Sequence, residues 1–324
     1  MAAKRILTRI LSYLVILVIF ILLFAEFRKN WASVQSHELD FNPYFTFLTV
    51  AAMFATYLLT TYGWHVALNT LSEGSRISFR DSVAVVNTSN LTKYLPGKIW
   101  SYALQTYWLG RKGFSNSLIV FVYIVNMFTL TITFLIVGLC FLVLSPGGLP
   151  FKGVITSLIV LVVLDILFIR YYSTLFNVLI SIVGKIIKKE ITYYEAPTKL
   201  LLHLHLIHIV SAFSFGVSGY FMCRGIGFDI ARNTIYLIMS SMILSDMIGF
   251  LSVIAPGGMG VREGVMYLLL KDRTFGALSL IVPVATRIVM IFVDAILGVL
   301  GFLLVNKNGN RTGKSEAKRS PLRS

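Results

Sequence analysis

Two stretches place charge beside residues that break helices. The first is Lys93-Tyr94-Leu95-Pro96-Gly97-Lys98-Ile99-Trp100, and the second is Pro256-Gly257-Gly258-Met259-Gly260-Val261-Arg262-Glu263. Each follows a long apolar segment, and the two Pro-Gly pairs stand 160 residues apart, close to half of the 324-residue chain. The chemistry such residues perform is anion recognition. A helix that begins inside an apolar layer presents unpaired N–H groups and the positive end of its dipole, which accept phosphate. Gly257, Gly258 and Gly260 permit close backbone approach and positive φ. Lys93, Lys98 and Arg262 add charge beside those ends, with Pro96, Gly97, Trp100, Pro256 and Glu263 completing the candidate headgroup-binding set. The structural alternative for the same residues is a plain chain turn with lysines reaching the interface.

Other ionisable residues sit deeper in apolar runs. Asp246 follows Ser240, Ser241 and Ser245, and Arg287 and Asp294 are seven apart, two helical turns on nearly one face. Charges facing lipid are costly, so these three must face a partner or water. Pairing of Asp246 or Asp294 with Arg262 or Arg287 stands beside a role in transport or proton coupling. Asp165 needs a partner that spacing does not name. His203, His205 and His208 lack an accompanying cysteine or carboxylate cluster, so they are read as interfacial and no metal site is assigned. Nothing points to a cofactor. No two aspartates lie close enough in sequence to hold a divalent ion beside a diphosphate, so a catalytic centre is not expected.

The elements that position these residues follow from composition. The chain is 56% hydrophobic and 13% charged, where a soluble domain carries about a quarter charged residues. Crossing the hydrocarbon takes about 20 apolar residues. Windows that meet or approach this length are Ile6–Ala25, Tyr44–Leu68, Ser115–Leu144, Val154–Ile169, Leu200–Met222, Ile235–Ile254 and Leu278–Val305, with a shorter one at Val261–Leu270. They are continuous rather than alternating, so the fold class is all-α: a polytopic transmembrane helical bundle of seven to eight spans with two broken or re-entrant helices in corresponding halves. Ile6–Ala25 reads as an uncleaved anchor, because Glu26-Phe27-Arg28 follows it instead of small residues. Trp64, Trp100 and Trp108 fit interfacial belts.

The net charge of +15 lies in loops at Arg76/Arg80, Arg111/Lys112 and Lys185/Lys188/Lys189, and in a tail where six basic residues face Glu316. Basic loops beside spans mark the cytoplasmic side and meet anionic lipid, so no nucleic acid is implied. The rule places the N-terminus inside and makes Val83–Thr106 enter and return on one side. It also makes Phe176–Lys189 an interfacial helix and puts the C-terminus inside if Val261–Leu270 crosses. The membrane domain covers residues 1–305, and 306–324 reads as a basic disordered tail.

Together, KYLPGKIW and PGGMGVREG resemble the signature of the lysylphosphatidylglycerol synthase transmembrane-region family, flippase-like integral membrane proteins, over about residues 6–305. In the commoner form of the first motif a Gly and an acidic residue follow the basic residue, where this chain has Ile99, Trp100 and Ser101. The resemblance implies a membrane region that moves a lipid between leaflets, as a stand-alone member without the aminoacyl-transfer domain. It also implies a place in envelope assembly at the plasma membrane.

Three readings follow. The first is binding and translocation of an anionic phospholipid or polyprenyl-linked lipid, with Asp246, Arg287 and Asp294 as intramembrane coupling charges. The second is a lipid or glycan transferase, and the third a non-catalytic partner of a glycosyltransferase or synthase. Spacing names no oligomeric state.

Overall fold

The structure, a computed structural model, describes residues 24, 28, 40–72, 74–94, 100–145, 151–187, 194–252, 255–274 and 276–317. Among them are nine α-helices: α1 (Pro43–Leu71), α2 (Phe79–Asn90), α3 (Trp100–Gly110), α4 (Asn116–Leu144), α5 (Phe151–Ile187), α6 (Thr198–Gly225), α7 (Ile235–Leu251), α8 (Val261–Leu270) and α9 (Gly276–Ala317). Helix starts are written locally. Asn42 accepts from the N–H of Tyr44 at 3.1 Å and Pro43 takes the first turn, while Ser78 and Ser115 cap α2 and α4 from 3.2 Å.

Six described helices are long and apolar enough to cross a membrane: α1, α4, α6, the Lys152–Tyr172 part of α5, Arg232–Leu251 including α7, and the Gly276–Leu304 part of α9. They match six of the seven long windows, and Ile6–Ala25 lies outside the described residues. Three helices are short. At 12, 11 and 10 residues, α2, α3 and α8 reach about 15–18 Å, roughly half of the hydrocarbon thickness. The chain is a multi-pass membrane protein.

Small and hydroxylic residues bring the spans together, as expected where lipid supplies no hydrophobic drive between helices. In the α1–α6 interface, Ser214 Oγ donates to the Ala52 carbonyl at 2.9 Å, and Ser211 Oγ donates to the Thr56 carbonyl at 3.3 Å. Gly216 and Gly219 of α6 let Met239 and Met242 of α7 approach, and Gly138 of α4 faces Ile243 and Leu244. One buried core joins α4, α6, α7, α8 and α9 around Phe134, Phe215, Ile243, Leu270 and Val282. A second gathers Leu68, Leu109, Ile119 and Leu201.

Two expectations change. Phe176–Lys189 is no separate interfacial helix, because α5 runs unbroken to Ile187. Trp64 is 3% exposed, held inside the second core instead of facing outward in an aromatic belt. Helix α9 runs on through Val305 to Ala317.

Candidate functional site

The second broken element follows α7, whose last turn ends at Ser252. Pro256–Gly258 forms one short 3-10 turn, and Gly257, Gly258 and Gly260 all take positive φ, at 59°, 70° and 80°. This reversal lays α8 against α7. Arg262, in the first turn of α8, stretches across Gly249 and Gly258, and its guanidinium Nη1 donates to Asp246 Oδ1. Asp246 stands three residues before Gly249 on α7, so carboxylate and gap share a face. A cation at a helix N-terminus opposes the dipole, and no side chain caps α8. Asp246 therefore neutralises a charge that the helix itself disfavours. The next residue, Glu263, is buried, with Oε1 3.6 Å from Arg287 Nε of α9.

The first broken element is a hairpin. Asp81 at the start of α2 pairs with Lys112 beyond α3 at 2.7 Å, and Gln105 Nε2 donates to Ser89 Oγ at 3.0 Å, so α2 and α3 run antiparallel and the chain returns to the side it entered. Helix α2 lies on α9 because Gly298 and Gly301 leave room for Leu91 and Thr88. The turn Leu91–Tyr94 then places Lys93 against α9, with its Nζ 2.8 and 2.7 Å from the two oxygens of Asp294 and 3.4 Å from the Tyr57 hydroxyl. Asp294 is 3% exposed and Lys93 26%. Lys93 thus follows the C-terminal end of α2, where a cation suits the dipole, and not a helix N-terminus. The turns Leu91–Tyr94 and Pro256–Gly258 touch each other, so the two halves of the chain meet here.

Residues 9–298 match the family described as lysylphosphatidylglycerol synthase TM region. The chain belongs to the lysylphosphatidylglycerol synthase transmembrane-region family. A comparison with curated proteins returned no match. Family membership ties the protein to membrane lipid and its handling.

In this family member the structure joins most of the residues singled out from the sequence. Asp246 takes Arg262, as one of the expected pairings had it. Asp294 takes Lys93 instead of an arginine, and Arg287 meets Glu263 instead of an aspartate. Pro96, Gly97 and Lys98 lie outside the described residues, and of Pro256 only the backbone is described. Trp100 opens α3 and is 48% exposed. Between α6, α7, α8 and α9 a cavity of about 20 Å³ is lined by Ser245, Asp246, Arg262, Glu263, Thr286 and Arg287, room for one water.

Tyr57 was missed. Asp294, Asp246 and Arg262 all bear on it electrostatically, and Lys93 sits 5.4 Å from its ring centroid, so it joins the charges of both broken elements. In the sequence it is one of several aromatics in an apolar span, and only the pairing of α1 with the two turns distinguishes it. Two of the three histidines face inward. His205 shares a 2.7 Å hydrogen bond with Thr133 and stands 3.4 Å from Asp165, giving that aspartate its partner. His208 is fully buried beside Gly63 and Asn126. Helix α6 turns both toward its neighbours.

Proposed function

We propose that this protein binds an anionic phospholipid or polyprenyl-linked lipid by its headgroup, between the two broken elements, and carries it between the leaflets of the cytoplasmic membrane. The supporting observation is the meeting of the turns Leu91–Tyr94 and Pro256–Gly258, the first carrying Lys93 and the second leading into Arg262, each cation held by a carboxylate of a full span. Paired, interrupted segments in corresponding halves are a mark of transporter sites. Lys93, Arg262 and the first-turn N–H groups of α8 supply the phosphate contacts, Lys98 is carried from the sequence as a further candidate, and acyl chains stay in the bilayer. On this reading the chain is a carrier and no enzyme, both termini are cytoplasmic, and a glycosyltransferase or synthase supplies or consumes the lipid.

The test is exchange of fluorescent phosphatidylglycerol between leaflets of vesicles holding the purified protein. The wild type should accelerate exchange, and Lys98→Gln with Arg262→Lys should abolish most of that acceleration while helical content is unchanged. Unchanged exchange in the variant would sink the site, and no acceleration by the wild type would sink translocation. Product formed from a nucleotide sugar or a CDP-lipid would replace the carrier with a transferase.

A further inference from the structure

We propose that Asp294 is a resident counter-anion that occupies, on Lys93, the place taken by the lipid phosphate, so that lipid binding exchanges one anion for the other and takes up a proton. This rests on the headgroup site proposed above and concerns how it opens.

Lys93 contacts both carboxylate oxygens of Asp294 at 2.7–2.8 Å, the geometry a phosphate would use on an ammonium. The Asp294 side chain is enclosed while the Lys93 side chain is about a quarter exposed, so the open approach to the pair is from the lysine's side. The two oxyanions cannot share the lysine comfortably. Like charges a few ångströms apart in a low-dielectric site disfavour joint ionisation. A proton on Asp294 removes the repulsion and leaves a carboxyl group that can donate to the phosphate or to Tyr57.

Among the described residues, the other charged groups around the pair do not remove this conflict. From α1, Tyr57 places its hydroxyl 3.4 Å from Lys93 Nζ. From α8, Arg262 bears on Asp294 but brings its own carboxylate, Asp246 of α7, so the two together add no net charge to offset a phosphate beside Asp294. On α9 itself, Arg287 is two turns away and faces Glu263. Helix α2 presents Thr88 and Leu91 to α9 here, neither of which titrates, and α6 contributes Phe215 to the adjoining cavity.

The experiment measures binding of short-chain phosphatidylglycerol to the purified full chain in detergent across a pH series, with short-chain phosphatidylcholine and inorganic phosphate as parallel arms. Wild-type affinity for phosphatidylglycerol should rise as pH falls, approaching about tenfold per unit for one linked proton. Calorimetry in buffers of different ionisation enthalpy should show the same uptake without any mutation. Asp294→Asn should bind more tightly at neutral pH and lose the pH response. Wild-type binding with no proton uptake, or an unchanged response in Asp294→Asn, overturns the exchange and leaves the lipid site standing. Equal response to inorganic phosphate keeps the exchange and overturns the lipid reading, as equal response to phosphatidylcholine overturns selection for anions. Absence of binding in every arm overturns both.

Discussion

Arg262 lies across Gly249: a Cβ added to that glycine would stand 2.9 Å from the guanidinium Nε and closer still to the side-chain stem. The gap in α7 is therefore the groove that lets Arg262 reach Asp246 one turn away. Gly249→Ala should push the arginine out of this groove. Overpacking of this kind destabilises by about 1–3 kcal/mol, read as a lower midpoint of thermal unfolding in detergent. In an Arg262→Ala background the same alanine should do much less harm, a coupling of about 1 kcal/mol or more between contacting sites. Equal losses in both backgrounds would show that the groove serves something other than Arg262.

Lys93 is aimed by a contact made elsewhere, the seat of α2 on Gly298 and Gly301. A Cβ on Gly301 would meet Thr88 Oγ1 at 2.6 Å and the Ala84 carbonyl at 2.9 Å, and a backbone carbonyl cannot move aside by changing rotamer. Gly301→Ala should therefore separate α2 from α9, lower stability by about 1–3 kcal/mol and reduce lipid exchange. Gly153→Ala is the control, since nothing lies within 4 Å of its added carbon. Its unfolding midpoint should stay at or slightly above the wild-type value, and a loss as large as that of Gly301→Ala would remove the helix-contact explanation.

The spans were legible because lipid demands long unbroken apolar runs, and the two Pro-Gly breaks stood out against them. The partners were not. Lys93 and Asp294 are 201 residues apart, and nothing local says that an aspartate in the last span faces a lysine in the first broken element. Which charges pair depends on which helix faces meet, and that is set by Gly249, Gly298 and Gly301, glycines that in the sequence look like any other in an apolar helix. Asp165 shows the same limit, since its partner His205 lies on α6 and had been placed at the interface by its position near the start of that span.

Tyr57 tests whether the charge cluster acts in transport or only in folding. Its hydroxyl accepts from Lys93 Nζ at 3.4 Å, a long bond to a cation that already holds a carboxylate. Tyr57→Phe keeps the ring beside the ammonium and deletes the hydroxyl's contacts with Lys93 and Asp294, so stability should change by about 0.5–1.5 kcal/mol per lost hydrogen bond. If the hydroxyl assists the exchange of anions on Lys93, lipid exchange should slow well beyond what that small loss of folded protein explains. Transport that falls only in step with the folded fraction would make Tyr57 a packing residue.

Asp165 and His205 sit apart from this cluster, on α5 and α6, and the structure gives them a holding role. The two are 3.4 Å apart but not aligned as a hydrogen bond, and most of the α5 span faces outward. Removing one partner of a pair enclosed this way leaves a charge or a polar ring without compensation. Replacing both with apolar groups of similar size is often neutral or favourable. His205→Leu alone should therefore lower the unfolding midpoint, all the more because Thr133 loses its 2.7 Å partner. Asp165→Leu with His205→Leu should recover most of that loss and leave lipid exchange near the wild-type rate. A double variant that is stable but inactive would instead assign the pair a part in transport, as an intramembrane carboxylate and imidazole able to pass a proton.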